Sequence, residues 1–203
     1  MSHRKFTLSF IALASLQLLG FTTPAKADYG VESRLPLSDP QKAKIDNRPV
    51  GTWRATISTN QYYLHAGTGN IVGKSDWMEL VLVHPGAKPA FYVHHKIGFV
   101  SAIGEQGYFN VANLSVLNTQ LRGSKPEELA AAVERYDILK YDVNGDTLDV
   151  WPADQKFVRA AIEAGKIKGN GATVEDSMEN LVRFIESSPP ALWGKKISYD
   201  RVK

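Results

Sequence analysis

From Gly51 onwards, apolar and polar residues alternate along several successive stretches before helical spacing takes over. Alternation with many β-branched and aromatic residues is typical of strands that bury one face. Turn residues separate the second stretch from the third, which predicts a hairpin, and Asn144-Gly145 predicts another between the last two. Because the strands come first instead of alternating with helices, they favour antiparallel pairing over a doubly wound α/β fold. The predicted strands span residues 53–57, 77–83, 90–101, 108–116, 136–141 and 147–151.

Helical spacing is concentrated in the later half of the chain. Each predicted helix begins at a Ser or Asp that can cap it, and Pro126 suits the first turn of the earliest one. We therefore expect an α+β domain that is mainly antiparallel β: a small barrel or one strongly curved sheet, with about three helices in its C-terminal half. A closing strand is predicted at 197–202, and the predicted helices span residues 124–133, 154–164 and 176–188.

The first 27 residues have the form of a secretory signal peptide. A short basic start precedes an apolar run over 6–21, and Ala25-Lys26-Ala27 places small residues at the two positions that a signal peptidase reads. The run is shorter than the roughly 20 residues that span a bilayer. We therefore expect cleavage between Ala27 and Asp28, a periplasmic or secreted product, and no stable membrane insertion afterwards. An uncleaved N-terminal anchor is the alternative.

The segment that follows differs from the rest of the chain. Residues 28–49 are polar, contain three prolines and show no clean period, so we expect a leader segment that precedes or wraps the domain. Within it, Asp39 followed by Pro40 predicts the start of a short helix. Residues 50–203 are expected to form a single β-rich domain.

Composition excludes several classes of site and partner. The chain contains no cysteine, which rules out disulfides, a thiolate nucleophile, Cys-ligated metals and lipobox anchoring. The formal net charge of +3 comes from the three basic residues of the predicted signal peptide, which contains no acidic residue. The remaining domain is therefore neutral, and we expect it to bind no nucleic acid. An exported chain without cysteines also favours the bacterial periplasm.

Four histidines lie beyond the predicted signal peptide: His65, His84, His94 and His95. His94 and His95 are neighbours on a predicted strand and therefore face opposite sides, while His84 can approach one of them across the hairpin. Together with Glu79, such a pair would suit zinc or copper. Half-buried, hydrogen-bonded histidines are commoner on such strands, so we predict no metal site and no cofactor.

The sequence contains none of the motifs Gly-x-Ser-x-Gly, Ser-x-x-Lys or His-Glu-x-x-His. We therefore predict no catalytic residue and favour a protein that is not an enzyme. A hydrolase whose site is assembled from distant residues, with one of the histidines beside a Ser or Asp, stays open as an alternative.

Alternation gives the strand at 90–101 two distinct faces. Tyr92, His94 and Lys96 share one face, while the other is apolar except for His95. We expect the apolar face to form the core and, if the barrel is open, to line a cavity in which His95 is a polar anchor. Simple packing inside a closed barrel is the alternative. The candidate ligand-binding residues are His95, Phe91, Phe99, Trp77 and Tyr108.

Gly51-Thr52-Trp53 opens the first predicted strand, and Arg201 lies in the last one. This pairing resembles the lipocalin (calycin-type) family, in which a Gly-x-Trp on the first strand closes one barrel end and a late arginine packs over the indole. The resemblance implies a lipocalin-like barrel closed by Gly51, Trp53 and Arg201, with a small apolar or amphipathic ligand. Stretches similar to exported bacterial lipocalin-like proteins of uncharacterised function lie at 136–141, 157–169 and 179–185.

These observations together predict an exported, periplasmic, lipocalin-like protein that binds a small apolar or amphipathic molecule. The alternative is a protein–protein interaction module, such as an inhibitor or an accessory envelope subunit, whose protein partner the sequence does not identify. A contiguous exposed apolar patch on the surface would favour the interaction module.

Overall fold

A computed structural model describes residues 30–44, 46–68, 77–85, 91–114 and 132–203. The predicted signal peptide and its cleavage site lie outside these residues and stay predictions. The described residues form β1 (Val31–Ser33), β2 (Gly51–Ile57), β3 (Asn60–Gly67), β4 (Met78–Pro85), β5 (Phe91–Ile103), β6 (Gln106–Leu114), β7 (Val133–Asn144), β8 (Thr147–Trp151), α1 (Gln155–Glu163), β9 (Gly169–Asn170), β10 (Thr173–Val174), α2 (Met178–Ser187) and β11 (Ile197–Arg201). Short 3-10 turns occur at Pro40–Lys42 and Pro190–Leu192.

Eight of the strands close into an antiparallel β-barrel. Their order is β6-β5-β4-β3-β2-β11-β8-β7, and β7 pairs in turn with β6. The last strand thus lies between β2 and β8 and completes the circle. The prediction of a mainly antiparallel β fold with a barrel or strongly curved sheet is confirmed, in the form of a closed barrel.

Three barrel hairpins turn through two residues, and in each the first of the two has a positive φ. These residues are Ser58, Gly104 and Gly145, with φ between 58° and 59°. The hairpin predicted at Asn144-Gly145 is present, but Asn144 pairs with Thr147, so its two turn residues come one position later. The hairpin at Ser58 joins β2 to β3, a strand that the sequence pattern did not predict because its turn contains no glycine.

Apolar side chains form two separate clusters. All eight barrel strands contribute to the first cluster, which therefore fills the barrel interior and includes Trp53, Phe109 and Tyr141. The second cluster joins the outer faces of β5, β6 and β7 to residues from both helices and from the leader segment, among them Leu181 and Val31. The helices therefore cover one side of the barrel and do not enter it.

The leader segment packs tightly on the outside of the barrel. β1 pairs with β7, and Val31 and Leu37 are buried in the outer cluster. The backbone N–H of Leu37 donates to Oδ1 of the fully buried Asn110 at 2.8 Å, and Asn110 Nδ2 donates to Ser101 Oγ at 2.8 Å. The short helix predicted at Pro40 is present as a 3-10 turn that Asp39 caps.

Both helices predicted near the C-terminal end of the chain are present. Asp154 caps α1 and Ser177 caps α2, each through a side-chain oxygen that accepts backbone N–H groups. The described residues thus contain two helices instead of about three, because the helix predicted at 124–133 falls on residues that the structure does not describe, except at its end. There Ala132 is helical and Val133 begins β7, so the helical residues end one position before the predicted end. In the described part of the chain, no helix has the length and apolar character needed to cross a membrane.

Candidate functional site

The face of β5 that we expected to line the barrel interior points outwards, and the other face points inwards. Val100 belongs to the interior cluster, so Tyr92, His94 and Lys96, at alternate positions of the same strand, also face inwards. Phe99 belongs to the outer cluster beneath the leader and the helices. The expectation that the face of His95 and Phe99 lines the barrel is therefore wrong: its apolar pattern reflects burial under a second layer, outside the barrel.

All five candidate ligand-binding residues are affected by this inversion. Trp77, Phe99 and Tyr108 are buried in the outer cluster, where the rings of Trp77 and Phe99 lie 5.3 Å apart. Phe91, at the end of β5, is 70% exposed. His95 is half-buried on the outer face, with Nε2 at 3.2 Å from Glu79 Oε1. None of these side chains contributes to the interior cluster.

At one end of the barrel, the structure brings Gly51, Trp53 and Arg201 together. Arg201 is the register partner of Trp53, and its guanidinium carbon lies 4.0 Å from the centre of the indole ring. Its Nη1 donates to Val50 O at 2.9 Å, while Trp53 Nε1 donates to Pro49 O at 2.7 Å. A Cβ on Gly51 would lie 2.6 Å from Arg201 Nη1 and would displace the guanidinium, and the φ of 145° at this position also disfavours any side chain.

The same end of the barrel is plugged by residues 46–50, which precede β2. Tyr141 OH donates to Asp46 Oδ2 at 2.6 Å, and Arg48 donates to both oxygens of the same carboxylate. Burial raises the pKa of Tyr141, and its bond to Asp46 raises it further. Burial alone would raise the pKa of Asp46, but the bonds from Arg48 and Tyr141 outweigh it and hold that pKa below its usual value. We call residues 46–50 the base plug.

The opposite end of the barrel is less completely filled. Inward-facing side chains near the base, such as Trp53 and Leu148, are completely buried. Towards the other end, inward-facing side chains are partly accessible to solvent, and Ile57 at the rim is 38% exposed. Exposed apolar groups on the inside of a barrel indicate a concave opening, which we call the cup. It is lined by Ile57, Tyr62, Leu64, Leu82, Leu139 and Ile197.

Polar and aromatic side chains form a network around the cup. The ring of Tyr62 stacks on His84 at 5.8 Å between centres, and His84 Nε2 lies 3.0 Å from His94 Nε2. On the neighbouring positions, Lys96 Nζ donates to Asn113 Oδ1 at 2.8 Å, and Asn113 Nδ2 donates to Asp137 Oδ2 at 2.9 Å. Residues 86–90 and 115–131, which join strand ends on this side, lie outside the described residues.

The hydrogen bonds of the two histidines define their tautomers. His84 Nδ1 lies 3.1 Å from Pro85 O, and because a carbonyl can only accept, this nitrogen carries the proton. A neutral His84 therefore accepts at Nε2, and His94 donates from Nε2. Burial lowers the pKa of His94, and the nearby charges of His84 and Lys96 lower it further.

The structure separates the groups that we considered as a metal site. His84 and His94 meet inside the cup, whereas Glu79 contacts His95 on the outer face. Within the described residues, no group of three or more His, Asp and Glu side chains is arranged to hold a metal ion.

The hydroxyl and carboxylate partners that a hydrolase triad needs contact different histidines in the described part of the chain. Thr52 Oγ1 lies 2.9 Å from His65 Nδ1, whereas Glu79 Oε1 lies 3.2 Å from His95 Nε2. A triad joins a nucleophile and an orienting carboxylate through the same histidine.

Comparison of the chain with family models, with curated proteins and with solved structures finds no match. The function is therefore inferred from the geometry of the barrel and its cup.

Proposed function

We propose that this protein is an exported, lipocalin-like carrier that binds a small amphipathic molecule in the cup. One observation supports the proposal most directly: Leu64, Leu82 and Leu139 face into the barrel and yet are partly accessible to solvent, whereas the inward side chains near the base are buried. A barrel of eight strands is just wide enough to be filled by side chains or to hold one small ligand. The solvent accessibility of the leucines towards the upper end supports a ligand in that half of the barrel.

The chemistry of the cup favours a ligand with an apolar body and a polar head. Leucine and isoleucine side chains line its wall, while Tyr62, His94 and Lys96 offer aromatic rings and hydrogen-bond donors near the rim. Each buried methylene contributes about 0.8 kcal/mol. Five methylenes against the leucines therefore account for about 4 kcal/mol, or roughly a thousandfold in affinity. The polar head then sets the orientation of the ligand.

Two further features support a lipocalin-like role. The plugged base, in which Arg201 covers Trp53 beside Gly51, matches what the family resemblance implies for a barrel that is closed at one end. The signal peptide predicted at residues 1–27 would deliver such a carrier to the periplasm or the medium.

A pair of substitutions on β4 tests the proposal. Leu82 faces into the cup and Val83 faces outwards, so Leu82→Trp should fill the cup while Val83→Trp leaves it open. The full chain is screened by thermal shift against fatty acids, isoprenoids and haem-like compounds, and affinities are then measured by titration. We expect one class to bind the unmodified and the Val83→Trp proteins, and Leu82→Trp to weaken binding at least about tenfold. Failure of every class, or equal binding by both variants, would overturn the proposal.

One observation favours the interaction module as a second candidate. Phe91 and Val93 are 70% and 63% exposed on the outer face of β5, next to Val83 on β4. Exposed apolar patches of this kind commonly mark protein interfaces. A partner captured stoichiometrically by the unmodified protein and lost with Phe91→Ser, but retained with Leu82→Trp, would support the module. The reverse pattern, with an extractable small molecule, would support the carrier.

A further inference from the structure

The rings of His84 and His94 meet head to head inside the cup. Their centres lie 5.1 Å apart, their planes differ by only 10°, and the two Nε2 atoms are 3.0 Å apart. Because the nitrogens are much closer together than the ring centres, both lie between the rings and face each other. In this arrangement the two nitrogens share a hydrogen bond, and imidazole nitrogens are donors that suit zinc, copper and nickel.

The surroundings of His84 are those of a metal ligand. Its Nδ1 donates to the carbonyl oxygen of Pro85, and metal-binding histidines commonly hold their second ring nitrogen in this way. This bond fixes the tautomer that leaves a lone pair on Nε2. The rings of Tyr62 and Tyr92 lie 5.8 Å and 5.3 Å from the His84 ring and restrict its rotation. The orientation of the donor atom His84 Nε2 is therefore fixed without a bound ion.

The geometry needs little adjustment at His94. Two bonds of about 2.0–2.1 Å from a metal to nitrogen, at an angle near 90°, place the nitrogens about 2.9 Å apart, close to the distance in the structure. The nitrogens thus have the required spacing, and rotation of the His94 side chain has to turn its Nε2 from the hydrogen bond with His84 towards the ion. The positive charge of Lys96 opposes a cation, but Asn113 links Lys96 to the carboxylate of Asp137, which offsets it.

We propose that His84 and His94 form a two-histidine clip for a divalent late first-row transition metal at the mouth of the cup, with Cu²⁺ bound more tightly than Zn²⁺. The order of affinity follows the general preference of nitrogen sites for copper. With two protein ligands, the ion keeps coordination positions that are open to water or to a donor group of a molecule in the cup. The clip is independent of whether the cup carries an amphipathic ligand.

Copper titration of matched variants tests the clip. His84→Ala and His94→Ala each remove one donor, and His95→Ala removes the neighbouring histidine on the outer face as a control. All proteins are full-length and carry His3→Ala, so that this histidine outside the described residues adds no imidazole to the titration. We expect one Cu²⁺ per chain, weakened more than about tenfold by His84→Ala or His94→Ala and unchanged by His95→Ala. Zn²⁺ should bind more weakly, and Mg²⁺ should not bind.

A spectroscopic measurement distinguishes the clip from unspecific copper binding. The electron paramagnetic resonance spectrum should show coupling to two imidazole nitrogens in the control and to one in either single variant. If an alanine variant does not fold, His94→Gln replaces it, since the amide can still donate to His84 but is a poor copper ligand. Equal affinity in His94→Gln and His95→Ala, or a spectrum without two imidazole nitrogens, would overturn the proposal.

Discussion

Replacement of Arg201 by Met is the most informative perturbation of the barrel base. The substitution keeps an unbranched apolar stem but removes the guanidinium, which lies over Trp53 and donates to Val50 O and Arg48 O. The side chain is only 29% exposed, so these contacts are partly shielded from water. The cation–π contact contributes about 0.5–2 kcal/mol. Two hydrogen bonds from a charged donor contribute about 1.5 kcal/mol each at most in this partly exposed position.

We therefore expect Arg201→Met to lower the free energy of unfolding by about 2–4 kcal/mol. For a domain of this size, that corresponds to a fall in Tm of about 5–15 °C. Urea unfolding followed by circular dichroism measures the change. Arg54→Met is the matched control, because Arg54 lies next to Trp53 on β2 but is exposed. If both variants lose the same small amount of stability, Arg201 does not hold the base and the reasoning fails.

Two other changes test features of the barrel. Ser58 is a non-glycine residue at φ 58°, so Ser58→Gly should stabilise the protein by about 1 kcal/mol in urea unfolding, whereas Thr59→Gly should not. The pKa of Asp46 lies below its usual value of 3.8 in the folded protein, so its contribution to stability is present above pH 3.8 and is lost as the pH falls further. Tyr141→Phe removes one of the bonds that lower this pKa and should move acid unfolding to a higher pH; an unchanged midpoint would contradict the assignment.

Much of the fold could be predicted from local patterns, because those patterns have direct physical causes. Alternation predicted seven of the eight barrel strands and their antiparallel pairing, and Asp39, Asp154 and Ser177 marked the starts of helical turns through their capping oxygens. The packing of Arg201 on Trp53 was anticipated from the resemblance to the lipocalin family. In each of these cases, the structural feature could be predicted from neighbouring residues or from a known pairing of residues.

The site was harder to predict because a period of two defines two faces without saying which one is inside. On β5, the more apolar face points outwards and is covered by the helices and the leader segment. The residues that cover it, such as Val31, Leu37 and Leu181, come from distant parts of the sequence. The cup depends on β3, a strand without a glycine turn, which places Tyr62 against His84. On β5, the inward-facing positions after Lys96 hold small residues. This pattern could have identified the inner face from the sequence.

The position of β11 in the barrel has a consequence for how the chain reaches its native state. β2 and β8 are separated in the sheet by a strand that begins only at Ile197. A polypeptide that emerges amino terminus first therefore keeps two unpaired strand edges until nearly all of it is present. Contacts between such distant parts of the sequence form slowly. The barrel therefore closes only when β11 inserts between β2 and β8.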